Sequence, residues 1–168
     1  MLESQEVMRG ANGKFLAARI WDMVCYYYVG QDSEANFRAF LAWGDTMPQK
    51  CPRGTGTIVW VDEKGALNPP SDAVRKKYAD MALRNAPRQF ARVSIVQATG
   101  FGGATIRAVL TSLQRFQRLP FPQHVTDDPS AGLRWLMARM PVDPARPSVE
   151  EAVQFFQTTL DDYRRTHG

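Results

Sequence analysis

The chain is poor in the residues that staple or ligate. It has two cysteines, Cys25 and Cys51, and two histidines, His124 and His167. Two thiols do not make the disulfide framework of a small secreted domain, and neither histidine belongs to a metal-spaced set, so no metal or other cofactor is expected. No window approaches the roughly 20 consecutive apolar residues of a membrane span. The opening MLESQEVMRG lacks the basic-then-apolar pattern of a secretory leader. These absences predict a soluble, cytoplasmic protein with reduced thiols and no membrane partner. Lysine is also sparse, five against sixteen arginines, and there is no internal repeat or low-complexity stretch.

What is present suffices for a packed domain. Of 168 residues, 44% are apolar and 23% charged, near the globular average, which excludes chain-wide disorder. The net charge of +4 is unevenly spread: residues 71–120 carry nine bases against two acids, while both flanks are weakly acidic. A basic middle third fits solvated helix faces or a site for an acidic partner or an anion.

The clearest signal runs from Phe90 to Leu119. Val93, Ile95 and Val96 predict an inner strand over Phe90–Gln97. Gly100 to Gly103 predict the turn after it. Ile106, Val109, Leu110, Leu113 and Phe116, spaced by three and four, predict a helix from Ala104 to about Arg118. Upstream, Glu6–Arg9 and the run from Lys14 to Gly30 read as two or three strands, with Ala11-Asn12-Gly13 as a tight turn and a bend at Asp22. Leu16, Ala18 and Ile20 form the more apolar face. The run Tyr26-Tyr27-Tyr28 should leave at least one ring facing water or a partner. A helix from Glu34 to Met47 ends at Pro48, Thr55–Val61 is a buried strand, and a second helix follows Ser71-Asp72. After Pro122 come a short strand over Gln123–Val125, an Asp-capped helix, and a linker with Pro141, Pro144 and Pro147. The last helix carries the capping-box pair Ser148 and Glu151 and an apolar stripe of Val149, Ala152, Val153, Phe156, Leu160 and Tyr163.

The fold class is α/β: a single mixed sheet of about five strands flanked by helices, with an extra C-terminal helix. Residues 1–140 form the α/β domain, and 141–168 the Pro-rich linker and amphipathic helix. From Lys14 to Met137 this order resembles the STAS fold, the anti-sigma-factor-antagonist type of domain. The closing FPQHVTDDPSAGLRWL, Phe121 to Leu136, is similar to the family's last strand and capped helix, and Ala91–Leu113 takes the place of its penultimate unit. The resemblance implies a regulatory module of bacterial signalling that docks to proteins. It also implies a phosphorylatable Ser or Thr at a helix start, for which Ser71 is the nearest position. Where the family has Asp-Ser-Ser/Thr-Gly, this chain reads Asn68-Pro69-Pro70-Ser71-Asp72, and a plain N-cap is the competing role of Ser71.

Two functions stay open. The leading one is a non-catalytic regulatory or scaffold domain acting through protein–protein contacts. Arg115 and Arg118 would serve as outward basic residues, and Phe156 and Leu160 as a docking or self-association face. The alternative is a small-molecule or nucleotide-binding protein, with catalysis left open, using the strand–helix loop of Gly100, Gly102, Gly103 and Thr105 with Arg107 beside it. Glycines before a helix let backbone amides approach an anion, but no Lys-Ser/Thr follows them and Thr105 stands at the third glycine position of the dinucleotide fingerprint. No catalytic set emerges. Nucleic acid ranks behind protein as a partner, because aromatic interleaving in the basic third is thin.

Overall fold

A computed structural model describes residues 5–10, 15–28, 34–62, 71–98, 100–116 and 119–167. The turn expected at 11–13 lies outside them. Six strands form one mixed sheet in sequential order. β1 (Gln5–Arg9), β2 (Phe15–Ile20) and β3 (Met23–Tyr28) make an antiparallel meander. β3, β4 (Thr55–Asp62), β5 (Gln89–Gln97) and β6 (Gln123–Thr126) run parallel. The bend expected at Asp22 is the β2–β3 hairpin turn, with Trp21 at φ +58°.

The parallel strands are joined through helices. α1 (Glu34–Gly44) and α2 (Met47–Lys50) precede β4. α3 (Asp72–Asn85) and a 3₁₀ turn (Ala86–Arg88) precede β5, and α4 (Gly100–Phe116) precedes β6. α5 (Pro129–Met137) and α6 (Val149–His167) follow. The single helix expected over 34–47 is therefore two. Pro48 lies in the first turn of α2, where its missing N–H costs no hydrogen bond.

Alternation along the strands divides the core. One face sends Ala17, Val24 and Tyr26 against Phe40 and Trp43 of α1, Met47 of α2 and Met81 of α3. Farther along, Val61, Val96 and Ala98 meet Ile106 and Leu110 of α4. The other face, with Leu16, Ala18, Tyr27, Trp60, Val93 and Ile95, is covered by α5 and α6. Both faces are covered, and Tyr26 and Tyr27 are both buried; the side chain of Tyr28 lies outside the described set. The Tyr27 hydroxyl donates to the Phe156 carbonyl at 2.7 Å.

The C-terminal stripe also differs from expectation. Phe156 and Leu160 have 0% and 1% exposure within their own chain, so they are core residues and not a docking face. Local sequence explains why α6 forms and where it starts. Ser148 N–H donates to the Glu151 carboxylate at 2.8 Å and Glu151 N–H to the Ser148 hydroxyl at 3.2 Å, a reciprocal capping box. Asp128 caps α5 in the same spirit, accepting from Ser130 and Ala131 N–H. The proline-containing segment between the two helices is latched to the β2–β3 turn. Arg146 grips Asp22 with Nε at 3.0 Å and Nη2 at 2.7 Å. Asp143 accepts from the Trp21 indole at 3.2 Å and pairs with Arg53. Among the described residues no helix is long and apolar enough to cross a membrane.

Phe156→Ala should cost about 3–5 kcal/mol in equilibrium urea unfolding, the range for removing a buried aromatic ring. A loss below about 1 kcal/mol would mean that α6 does not belong to the core.

Candidate anion-binding site

The glycine-rich segment is a helix start, not a separate turn: α4 begins at Gly100, four residues before the position its sequence suggests. Gly103 is what permits this. A Cβ there would land on the Ala98 carbonyl, so only glycine lets the helix turn off the end of β5. Gly100, at φ +65°, and Gly102 face open space. The Thr105 hydroxyl is used inside the helix, donating to the Phe101 carbonyl at 2.9 Å. Arg107 folds back onto the strand end, donating to the Ala98 carbonyl at 3.2 Å, and lies 3.8 Å from Asp127. These residues therefore sit together, but the hydroxyl and the guanidinium already have partners. Ser71 is exposed immediately before α3. Arg115 lies in α4 with its side chain outside the described set, and Arg118 lies outside the described residues.

Most arginines of the basic middle third whose side chains are described have partners. Arg84 lies 3.5 Å from Asp45 on α1's end, Arg88 donates to the Pro48 carbonyl at 3.3 Å, and Arg107 is tied as above. Arg92 stands apart. It sits on an interior strand, its Nε is sealed from solvent, and that atom has no hydrogen-bond acceptor. Its guanidinium has no carboxylate partner among the described residues; it lies over the Phe121 ring, 5.3 Å from the centroid. Burial pushes its pKa below the ordinary arginine value, with the neighbouring Tyr26 acting the other way.

A backbone irregularity builds the pocket around it. Thr55 pairs with Gln89 but Gly56 pairs with Ala91, so Phe90 is an extra residue in the β4–β5 ladder. In an unbroken strand Gln89 and Arg92 would point to opposite faces. The bulge turns Gln89 over, and both side chains line one cavity of about 40 Å³. Gln89 is only 9% exposed, and its Nε2 also lacks a partner. Phe90 goes the other way and packs against the α5–α6 side of the core. Gly54, at φ +121°, makes room for the bulge: a Cβ there would lie 2.6 Å from the Arg88 carbonyl and 2.8 Å from Cζ of Phe90.

The rest of the wall comes from four elements. Tyr26 and Thr57 stand on β3 and β4, Met47 and Pro48 on α2, and Met81, Ala82 and Asn85 on the last turns of α3. Arg88 lies at the mouth and Cys51 at one side. Among the described lining residues there is no carboxylate and no imidazole. Burial pushes the Tyr26 phenol and the Cys51 thiol up from their usual pKa values, so both stay protonated at neutral pH. The Cys51 thiol lies 3.6 Å from the Trp21 carbonyl. The pocket is thus a donor-rich, cationic hollow suited to holding negative charge. No group of three or more His, Cys, Asp or Glu among the described residues could hold a metal ion.

Compared with family models, with curated proteins and with solved structures, the chain matches none.

Arg92→Met should raise unfolding stability by about 1 kcal/mol, because an unpaired buried cation gives way to an apolar chain of similar length. Denaturant midpoints measure this, and a loss of 2 kcal/mol or more would make Arg92 a structural residue. Gly54→Ala should do the opposite, costing about 1–3 kcal/mol through backbone strain in the same assay.

Proposed function

We propose that this chain is a non-catalytic regulatory domain that binds a small anionic ligand in the pocket beneath α3. The observation that carries the reading is that Arg92, which has no carboxylate partner among the described residues, and Gln89 line one cavity without an acid. An anion in that cavity would supply the negative charge that the Arg92 guanidinium lacks. Binding is favoured over catalysis by the protonation of the lining groups. A thiol and a phenol held protonated by burial serve as neither nucleophile nor base.

The regulatory part of the reading is supported by the element order, which is the part of the chain that resembles STAS domains. The pocket also touches α2, α3 and the 3₁₀ turn at once. A ligand there would strengthen the link between helices that otherwise meet through Arg88 on the Pro48 carbonyl and Arg84 beside Asp45. That link is the route by which occupancy would reach the outer surface of α3, where Leu83 is 57% exposed.

The test is thermal unfolding in a panel of sodium salts at matched ionic strength, which removes general screening. At about 100 times its dissociation constant a specific anion should add about 2.7 kcal/mol to wild type and nothing to Arg92→Met. Equal responses of the two proteins to every anion would eliminate the pocket as a ligand site.

A further inference from the structure

We infer that a second hollow, which shares Cys51 with the Arg92 pocket, binds a nucleotide, with its base on the Trp21 ring and its phosphate on Lys50 and Arg53.

Trp21 holds a conformation that its turn would give to another residue. Ile20 pairs with Met23, so Trp21 and Asp22 are the two residues of a tight hairpin. Trp21 takes φ +58°, the one non-glycine at positive φ among the described residues. The first position of such a turn favours glycine, and a bulky side chain is strained there. The surroundings hold it in place. Its carbonyl accepts from Arg19 Nη1 at 2.9 Å and lies 3.6 Å from the Cys51 thiol, and its indole N–H donates to Asp143 at 3.2 Å. The edge of the ring is thereby fixed while its faces are unused. Trp43 meets Tyr26, Trp60 meets Tyr27, and Trp135 meets His124 and Arg139. Trp21 is only half buried and has no aromatic or cation–π contact among the described residues.

Beside this ring is an open hollow of about 310 Å³, lined also by Arg19, Lys50 and Arg53. The one acid among its described lining residues, Asp22, is taken by both Nε and Nη2 of Arg146. Outside the lining, Glu6 serves both Arg19, at 3.6 Å, and Lys50, at 2.6 Å, and Asp143 serves Arg53. Three cations thus share two carboxylates, which leaves one positive charge in excess. The Lys50 and Arg53 side chains are 32% and 56% exposed. Ion pairs so open to solvent are weak, and a phosphate can engage the Arg53 guanidinium through paired N–H···O bonds.

A free aromatic face beside basic heads is the pairing that holds a nucleotide, because every base offers a π face and its phosphate meets lysine or arginine. The volume agrees: it stands at the low end of small-molecule pockets, about 300–1,000 Å³, with room for one base, one sugar and one phosphate. One charge in excess suits a single phosphate group better than a triphosphate. A sugar phosphate would leave the Trp21 ring uncovered, and inorganic phosphate would leave most of the hollow to water.

The experiment titrates the intact chain with adenosine monophosphate, ribose phosphate, inorganic phosphate, phosphotyrosine and single-stranded oligo(dA) at constant ionic strength. Calorimetry gives affinities, and the Nε1–Hε1 cross-peak of Trp21 in heteronuclear NMR, assigned by its loss in Trp21→Leu, gives the place. Adenosine monophosphate should bind saturably and move that cross-peak, and ribose phosphate should bind at least about tenfold more weakly. Trp21→Leu should lose about tenfold in affinity for adenosine monophosphate. Arg53→Gln, a change at an exposed side chain, should lose about as much with the fold intact. Tighter binding of oligo(dA) through the same cross-peak, falling steeply with salt, would support the site and assign its nucleotide to a single strand; equal or weaker binding would assign it to a free nucleotide. Phosphate or phosphotyrosine binding as tightly as adenosine monophosphate would overturn the inference, as would an unmoved Trp21 cross-peak. Arg92 does not line this hollow, so the anion response of Arg92→Met tests the other pocket separately.

Discussion

The arrangement of this protein follows from one topological constraint. Its parallel strands occur in the sheet in the order in which they occur in the chain. Right-handed crossovers between successive neighbours all arrive on the same face, so α1 to α4 share one side of the sheet. The other side is no less apolar, with Trp60, Ile58 and Tyr27 almost fully buried on it. That side needs a cover which no crossover supplies. The chain meets the need after its last strand: α5 and α6 return beneath the sheet, and the segment between them is fastened by Arg146 on Asp22. The apolar stripe of α6 is therefore a requirement of the sheet's second face.

The same molecule shows what it does with buried arginines when structure alone is at stake. Arg146 is sealed, and it is matched by a bidentate carboxylate. Arg107 is half buried, and it is matched by strand-end carbonyls and Asp127. Arg92 is placed on an inner strand, under two helices, with an aromatic ring beside it and no carboxylate partner among the described residues. A cation–π contact of this kind is worth about 0.5–2 kcal/mol, which does not by itself account for the desolvation of a guanidinium. The contrast within one chain is what marks Arg92 as a residue kept for something other than packing.

Much of the fold was legible in the sequence because its determinants are local. The Leu16-Ala18-Ile20 alternation, the three- and four-residue spacing of Ile106 and Leu110, the Ser148–Glu151 pair and the Asp128 cap all act over a few residues. The site was not legible, and the reason is equally physical. A bulge exists only in relation to a partner strand, so nothing between Gln89 and Arg92 announces that their side chains share a face. One signal was available: an arginine stands between Ala91 and Val93, both fully buried, on a strand covered on both faces. The glycine run misled for a related reason. Gly103 is needed for contact with the Ala98 backbone, and a glycine required by packing looks the same in sequence as one required by a ligand.

The topology also bears on where a ligand site belongs. In open α/β sheets ligands lie beyond the carboxyl ends of the parallel strands, in the crevice formed where the strand order reverses and neighbouring crossovers part to opposite faces. Here the order from β3 to β6 never reverses, and the crossovers stay on one side, so that crevice has no means of forming. The carboxyl end of β5 is instead closed by α4 and Arg107. A pocket in this sheet has to be made by local disruption. The bulge at Phe90, near the amino ends of β4 and β5, does this: it spreads the ladder, turns Gln89 toward Arg92 and opens a hollow under the last turns of α3. A site at the unusual end of the strands is thus the consequence of a sheet without a switch point.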